Sequence, residues 1–280
     1  MFSKLLKHEW KANSGLLGIL SLCSLGIGVL GIFVMRGIIY MSELAEKEDA
    51  AYLGVTGLST ILPFMFLTLF AYFLAVQFIN VFRFYKSRFT DEGYLTFTLP
   101  VNAHQIFLSS FLNILFWLLI SAVVVVVAVI LIVVVGAWEP LTEFFREMQE
   151  YGGTFEDIYM EEINEPGYQT FNVLTIISAV LSVPYSIILI MTSITLGCGL
   201  AKKHKILASI GMYYGINVAV GMVESILTVV PTIAMASDFY DRYYIYTNWT
   251  IGITMALQVG LMLGGYFLST HLMKHKLNLP

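Results

Sequence analysis

Residues 106–137 read IFLSSFLNILFWLLISAVVVVVAVILIVVVGA, an apolar run without a charged side chain. Consecutive valines favour strands in water, but this run is far longer than an ordinary strand. A helix needs about 20 apolar residues to cross roughly 30 Å of hydrocarbon, where it satisfies its own backbone hydrogen bonds. The run therefore predicts a membrane-spanning helix.

The composition of the whole chain fits a membrane protein. Of its 280 residues, 58% are hydrophobic and only 12% are charged, and the mean hydropathy is +0.80. Soluble domains contain about 45–50% apolar and about 25% charged residues, and the sequence lacks the strict alternation of a membrane β-barrel. We predict an all-α integral membrane protein in which one domain, residues 1–280, has spans at about 15–35, 58–82, 106–137, 171–200, 206–235 and 251–272.

The distribution of Lys and Arg predicts the orientation of the chain. Six spans place both termini on one side of the membrane, together with residues 83–105 and 202–205. That side holds eleven of the 15 Lys and Arg residues, and the opposite side holds four. Because cytoplasmic loops are enriched in basic residues, we predict cytoplasmic N- and C-termini.

The N-terminal residues predict a further element. Residues 2–11 combine apolar side chains at helical spacing with three lysines, Lys4, Lys7 and Lys11. This pattern is typical of a helix lying on an anionic membrane surface. We therefore predict an N-terminal interfacial helix. The run at 15–35 is longer than the apolar part of a signal peptide, so we interpret it as a retained span.

The stretch between spans two and three, residues 83–105, reads RFYKSRFTDEGYLTFTLPVNAHQ and is polar and rich in turn signals. Thr90 is a candidate N-cap for a short helix with acidic residues in its first turn. Pro100 interrupts the chain, and Asn102 with Gln105 forms a second helix start. The pattern predicts a short helix at the cytoplasmic face between the two spans.

Motifs for catalysis or cofactor binding are absent from the sequence. It contains no G-x-x-x-x-G-K-[ST] phosphate loop, no H-E-x-x-H metal spacing and no G-x-S-x-G elbow. We predict that the chain is not an enzyme, that it has no catalytic residue, metal or cofactor of its own, and that it binds no nucleic acid. Transport against a gradient would then draw energy from a partner or from an ion gradient.

Residues 84–105, FYKSRFTDEGYLTFTLPVNAHQ, resemble the signature between spans two and three of the ABC-2-type permeases, the transmembrane subunits of bacterial ABC transporters. The N-terminal MFSKLLKHEWKA is also similar to the interfacial helix of that family. With the six predicted spans and cytoplasmic termini, the resemblance covers essentially the whole chain. It implies a multi-pass protein of the bacterial cell membrane that dimerises with a second copy or with a homologous permease. It also implies two copies of a partner ABC ATPase, which would bind ATP and Mg²⁺.

The resemblance further implies that the loop between spans two and three is a coupling helix that contacts the ATPase. We expect contact or geometry roles there, without catalysis, for Phe84, Tyr85, Asp91, Glu92, Gly93, Tyr94 and Pro100.

Among the Asp, Glu, Lys and Arg residues, Glu224 is the one that the sequence places inside a predicted span. Such residues often mark proton or cation sites, and Glu224 could also line an outer gate. The other interpretation is a neutral or paired carboxylate near the interface, which the lack of a second charge within the predicted spans favours.

Small residues four positions apart permit close helix approach. Gly211 and Gly215 share one face of the fifth span, and Gly260 and Gly264 share one face of the sixth. These pairs predict either packing within the chain or a subunit interface.

The sequence as a whole predicts the permease subunit of an ATP-driven exporter. Antimicrobial peptides, drugs, lipids, glycans and sodium are all open as substrates, and the acidic segment 139–169 leans slightly towards cationic ones. Its other interpretation is an external loop without a binding role. Two alternatives remain: an ion-coupled secondary transporter that uses Glu224, and a non-transporting membrane sensor.

Overall fold

A computed structural model describes residues 2–45, 51–90, 92–93, 101–150, 163–201, 203–234 and 243–275, and this part of the chain contains helices and no strand. The all-α prediction is therefore confirmed for the described residues. The α-helices are α1 (Phe2–Ala45), α2 (Ala51–Phe89), α3 (Ala103–Ile130), α4 (Trp138–Glu150), α5 (Tyr168–Leu200), α6 (Lys205–Ala234) and α7 (Tyr243–His275).

Six of these helices are long and apolar enough to cross a membrane, as the sequence predicts. They are α1, α2, α3 with the five-residue π-helical segment Leu131–Val135 that continues it, α5, α6 and α7. Many large apolar side chains on these helices are exposed, as expected for helices whose outer faces contact lipid. The structure thus supports a multi-pass membrane protein, and the orientation of the termini stays a prediction.

The N-terminal segment does not form a separate helix in the structure. Residues 2–14 continue without a break into the first span, because α1 is a single helix of 44 residues. No proline interrupts this region, and the Ser14 hydroxyl donates a hydrogen bond to the Lys11 carbonyl 3.0 Å away, within the helix. Contact of these residues with the membrane surface stays a prediction.

The chain forms two compact units. The α1–α2 unit comprises residues 6–80 and 116–154, and the α5–α7 unit comprises residues 1–5, 81–115 and 155–280. The assignment of one domain to residues 1–280 stays a prediction.

The α1–α2 unit combines an apolar core with buried polar pairs. Leu17 and Val76 are completely buried within this core. The Asn13 amide donates a 3.1 Å hydrogen bond to the Asn80 side-chain oxygen. Both residues are at least 97% buried. The hydrogen bond between the two amides therefore takes the place of hydrogen bonds to water, which does not reach them there.

The α5–α7 unit is built around α5. Ten residues of α5 are buried, all of them between Ile187 and Cys198, and α5 packs against both α6 and α7. On the α7 side, Ser269 donates a 3.1 Å hydrogen bond to Thr192. On the α6 side, Gly197 lies directly against the backbone of Ser209.

The glycines at which two helices approach closely differ from the pairs that the sequence predicts for helix packing. A Cβ added at Gly28 would lie 2.9 Å from the Cα of Ala128, and one at Gly197 would lie 2.4 Å from the Cα of Ser209. Within the described part of the chain, an added Cβ would meet no atom within 4 Å at four other positions, Gly211, Gly215, Gly260 and Gly264. These four therefore make no such contact with the described residues, and their role in a subunit interface stays a prediction.

Candidate functional site

The first candidate site is the end of α2, which enters the stretch predicted to contact an ATPase. The helix continues to Phe89, several residues beyond the predicted end of the span. Phe84 is only 3% exposed, and its ring meets the Phe89 ring edge-on with centroids 5.8 Å apart. The half-buried Tyr85 stacks on Phe89 from another side. Phe84 is thus a packing residue, whereas Tyr85 is partly accessible.

The residues after α2 are described only in part. The Thr90 hydroxyl donates a 2.5 Å hydrogen bond to the Lys86 carbonyl in the last turn of α2, and its role as the N-cap of a following helix stays a prediction. The Thr90 carbonyl accepts a 2.8 Å hydrogen bond from the backbone N–H of Gly93. Asp91, Tyr94 and Pro100 lie outside the described residues.

Glu92 forms a surface ion pair. Its carboxylate lies 3.0 Å from the Lys86 ammonium, and both side chains are more than half exposed. An exposed pair of this kind contributes at most about 1 kcal/mol to the free energy of unfolding. Both charges therefore lie at the surface and add little to the stability of the fold.

In the sequence, Arg88 is one of several basic residues of the stretch 83–105. It is 2% exposed, and its guanidinium donates a 3.1 Å hydrogen bond to the Ser110 hydroxyl on α3. The signal for its burial is its position: it lies four residues after Phe84, on the same face of α2. Arg88 therefore joins the end of α2 to the first turns of α3.

A basic cleft lies beside the end of α2. It has a volume of about 440 Å³ and is lined by Tyr85, by the first residues of α6 and by the loop before them, including Lys203, His204 and Lys205. The Lys205 ammonium donates a 3.4 Å hydrogen bond to the Phe89 carbonyl, the last of α2. The structure thus brings together two basic segments, 83–89 and 203–205, that are far apart in the sequence.

The start of α3 agrees with its predicted capping signal. The Asn102 carbonyl accepts hydrogen bonds from the backbone N–H groups of Gln105 and Ile106, and the Gln105 side chain accepts one from the Asn102 N–H. This is the returning half of a capping box. Next to it, His104 lies within hydrogen-bond distance, 3.0 Å, of the Tyr266 hydroxyl on α7.

The second candidate site surrounds Glu224 on α6. Its carboxylate accepts a 2.6 Å hydrogen bond from the Thr254 hydroxyl on α7, and Tyr185 of α5 is near enough for an electrostatic interaction with it. At 1.5 Å per residue, Glu224 is about 28 Å along α6 from Lys205. In the described part of the chain, no basic side chain forms an ion pair with this carboxylate.

An open cleft gives access to this carboxylate. Its volume is about 560 Å³, and its lining includes Glu224, Ser225, Thr228 and Thr250. A carboxylate with several hydroxyl oxygens is a suitable donor set for a proton, a small cation or an ammonium group. Among the described residues, no group of three His, Cys, Asp or Glu side chains has a metal-binding arrangement.

Comparisons of this chain with protein-family models, with curated proteins and with solved structures give no match.

Proposed function

We propose that this chain is the membrane-spanning permease subunit of an ATP-driven ABC transporter, with ATP hydrolysis in a separate subunit. The observation that carries the proposal is the continuity of α2, which is one helix from Ala51 to Phe89. A helix transmits displacement along its axis because every turn is hydrogen-bonded to the next. A force applied at residues 90–93 would therefore reach the part of α2 that crosses the membrane.

Neighbouring contacts would spread this force to other helices. Arg88 bonds to Ser110 on α3, and Lys205 at the start of α6 bonds to the Phe89 carbonyl. Movement of the end of α2 would thus act on the starts of α3 and α6 together. The basic cleft is lined by the exposed Lys203, and the exposed Lys86 lies on the last turn of α2. Together they provide a cationic surface for acidic side chains of a partner.

In this mechanism the chain acts as an exporter together with a second copy or a homologous permease and two ATPase subunits. The ATPase would hold ATP and Mg²⁺, and its closing and opening would drive the permease between inward and outward openings. Peptides, drugs and lipids remain the candidate substrates.

The decisive test is purification of the tagged chain from its native host in mild detergent. We expect a protein with a Walker A motif to co-purify in about equal molar amount, because two ATPase subunits serve two permease subunits in the proposed complex. The purification is done twice, once on untreated membranes and once after chemical cross-linking. Absence of any such protein from both preparations would contradict the proposal.

A triple variant tests the contact surface itself. Replacing Asp91, Glu92 and Tyr94 together by alanine is expected to reduce co-purification of the ATPase at least tenfold and to abolish transport. A matched control is Tyr40→Ala, since Tyr40 is 62% exposed and lies in another segment of the chain. Normal ATPase recovery and normal transport by the triple variant would refute coupling through these residues.

The Glu224 site favours a second candidate function, an ion-coupled carrier. It predicts transport that stops when an ionophore collapses the ion gradient, continues when ATP is depleted, and is lost in Glu224→Gln. Retained transport in the presence of the ionophore would exclude this candidate, and loss of transport on ATP depletion alone would favour the ABC transporter.

A further inference from the structure

The short helix α4 has two chemically opposite faces. At 100° per residue, its five large apolar side chains fall within one third of the helix circumference, and its four glutamates fall on the other side. The apolar residues are Trp138, Leu141, Phe144, Phe145 and Met148, and the acidic ones are Glu139, Glu143, Glu147 and Glu150.

The apolar face of α4 is largely uncovered by the described part of the chain. Trp138, Phe144 and Phe145 are each between 55% and 57% exposed, and no residue of α4 is buried. A helix with this pattern ordinarily buries its apolar face. What covers the apolar face of α4 therefore depends on whether α4 lies at the depth of lipid or in water.

Two contacts define the depth of α4 within the α1–α2 unit. The Arg36 guanidinium of α1 donates a 3.4 Å hydrogen bond to the Val135 carbonyl, and the helix begins three residues later. Gly136, in the intervening turn, packs against the Met35 side chain. The start of α4 is thus at the level of Arg36 on α1.

Arg36 lies at the end of a segment of α1 that is long enough to span the membrane. From Gly15, where the apolar run of α1 begins, to Arg36 is about 32 Å along the helix, close to the roughly 30 Å thickness of the hydrocarbon. Arg36 and the start of α4 therefore lie at the boundary between hydrocarbon and headgroups.

We propose that α4 lies in the plane of the membrane surface, with its aromatic face in the lipid interface and its glutamates in water. The lipid of the membrane that the chain already spans is the occupant, because it is the apolar medium at this depth. Trp and Phe are typical of such a helix. With four glutamates and only Arg146 as a basic residue, its binding is driven by apolar contact and needs no anionic headgroup. The inference holds for any transport activity of the chain.

Spin labels on single cysteines test the proposal in the full chain. The background is Cys23→Ala with Cys198→Ala, reconstituted in phosphatidylcholine vesicles, and the label positions are Phe144→Cys and Glu143→Cys. We expect the label at 144 to collide more with oxygen, which concentrates in lipid, and the label at 143 to collide more with a water-soluble nickel chelate. The adjacent position on the same helix is the matched control.

Two outcomes would overturn the proposal. Equal access of the nickel chelate to both labels would mean that α4 is surrounded by water. Low access of both reagents to the label at 144 would mean that protein, from another subunit or a partner, covers this face. Quenching of Trp138 fluorescence by brominated phosphatidylcholine, compared with a Trp138→Phe control, gives the same information without a label at 144, and no loss of the Trp138 signal would also contradict it.

Discussion

Substitution of Gly197 by alanine tests the packing of α5 on α6. The added Cβ would lie 2.4 Å from both the Cα and the backbone nitrogen of Ser209, and 2.6 Å from its hydroxyl oxygen. Ordinary contact begins at 3.4 Å, so the two helices would have to separate by about 1 Å. Backbone atoms cannot rotate away as a side chain can, so the contact has to be relieved by moving a helix.

The expected loss of stability follows from two opposing terms. Overpacking costs typically about 1–3 kcal/mol, and the backbone contact places Gly197→Ala at the upper end. Alanine returns about 1 kcal/mol through its higher helix propensity. The net loss is then about 2 kcal/mol, which lowers the melting temperature by about 4–8 °C on the scale of soluble proteins of 150–250 residues.

The assay uses a thiol that lies in the same helix interface. Cys198 is 5% exposed, and its sulfur lies 3.8 Å from the Ser209 hydroxyl. In a Cys23→Ala background, a thiol-reactive fluorophore therefore reports the separation of α5 from α6 during heating in detergent.

The matched control is Gly199→Ala, on the same helix. A Cβ at Gly199 would meet nothing within 4 Å, so this variant should melt at or above the temperature of the parent. The reasoning is refuted if Gly197→Ala melts no earlier than Gly199→Ala.

Two further substitutions compare buried and exposed polar contacts in the same melting assay. Asn80→Leu removes the buried partner of Asn13 and should cost about 1–3 kcal/mol, whereas adding Asn13→Leu should recover part of the loss. A single variant as stable as the parent would contradict this. Lys86→Ala breaks only the exposed pair with Glu92 and should change stability by less than about 1 kcal/mol. A larger loss would show that this pair supports the fold.

The candidate sites were predictable from sequence only in part. Glu224 was visible as a lone carboxylate in an apolar run, because charge in a membrane is rare. Its bond to Thr254 on another helix was not visible, since threonine is common in spanning helices. The approach of Lys205 to the end of α2 also escaped prediction, because 116 residues separate the two partners of that hydrogen bond.

By itself the sequence determined that the chain forms long apolar helices. Only a helix satisfies the backbone of runs such as 106–137 in lipid, so length and composition suffice. The helical spacing of large apolar residues opposite glutamates likewise favours the amphipathic helix α4, and Asn102 with Gln105 determined the start of α3.

Only the tertiary structure decided which faces of these helices meet. A spanning helix is apolar all round, so its sequence does not distinguish the face against lipid from the face against protein. That is why Gly197 and Gly28 make the close contacts, while Gly211 and Gly215, which are four residues apart on one helix, do not. Arg88 is buried for the same reason: its hydrogen-bond partner Ser110 lies on α3, and the spacing of Arg88 from Phe84 does not reveal that contact.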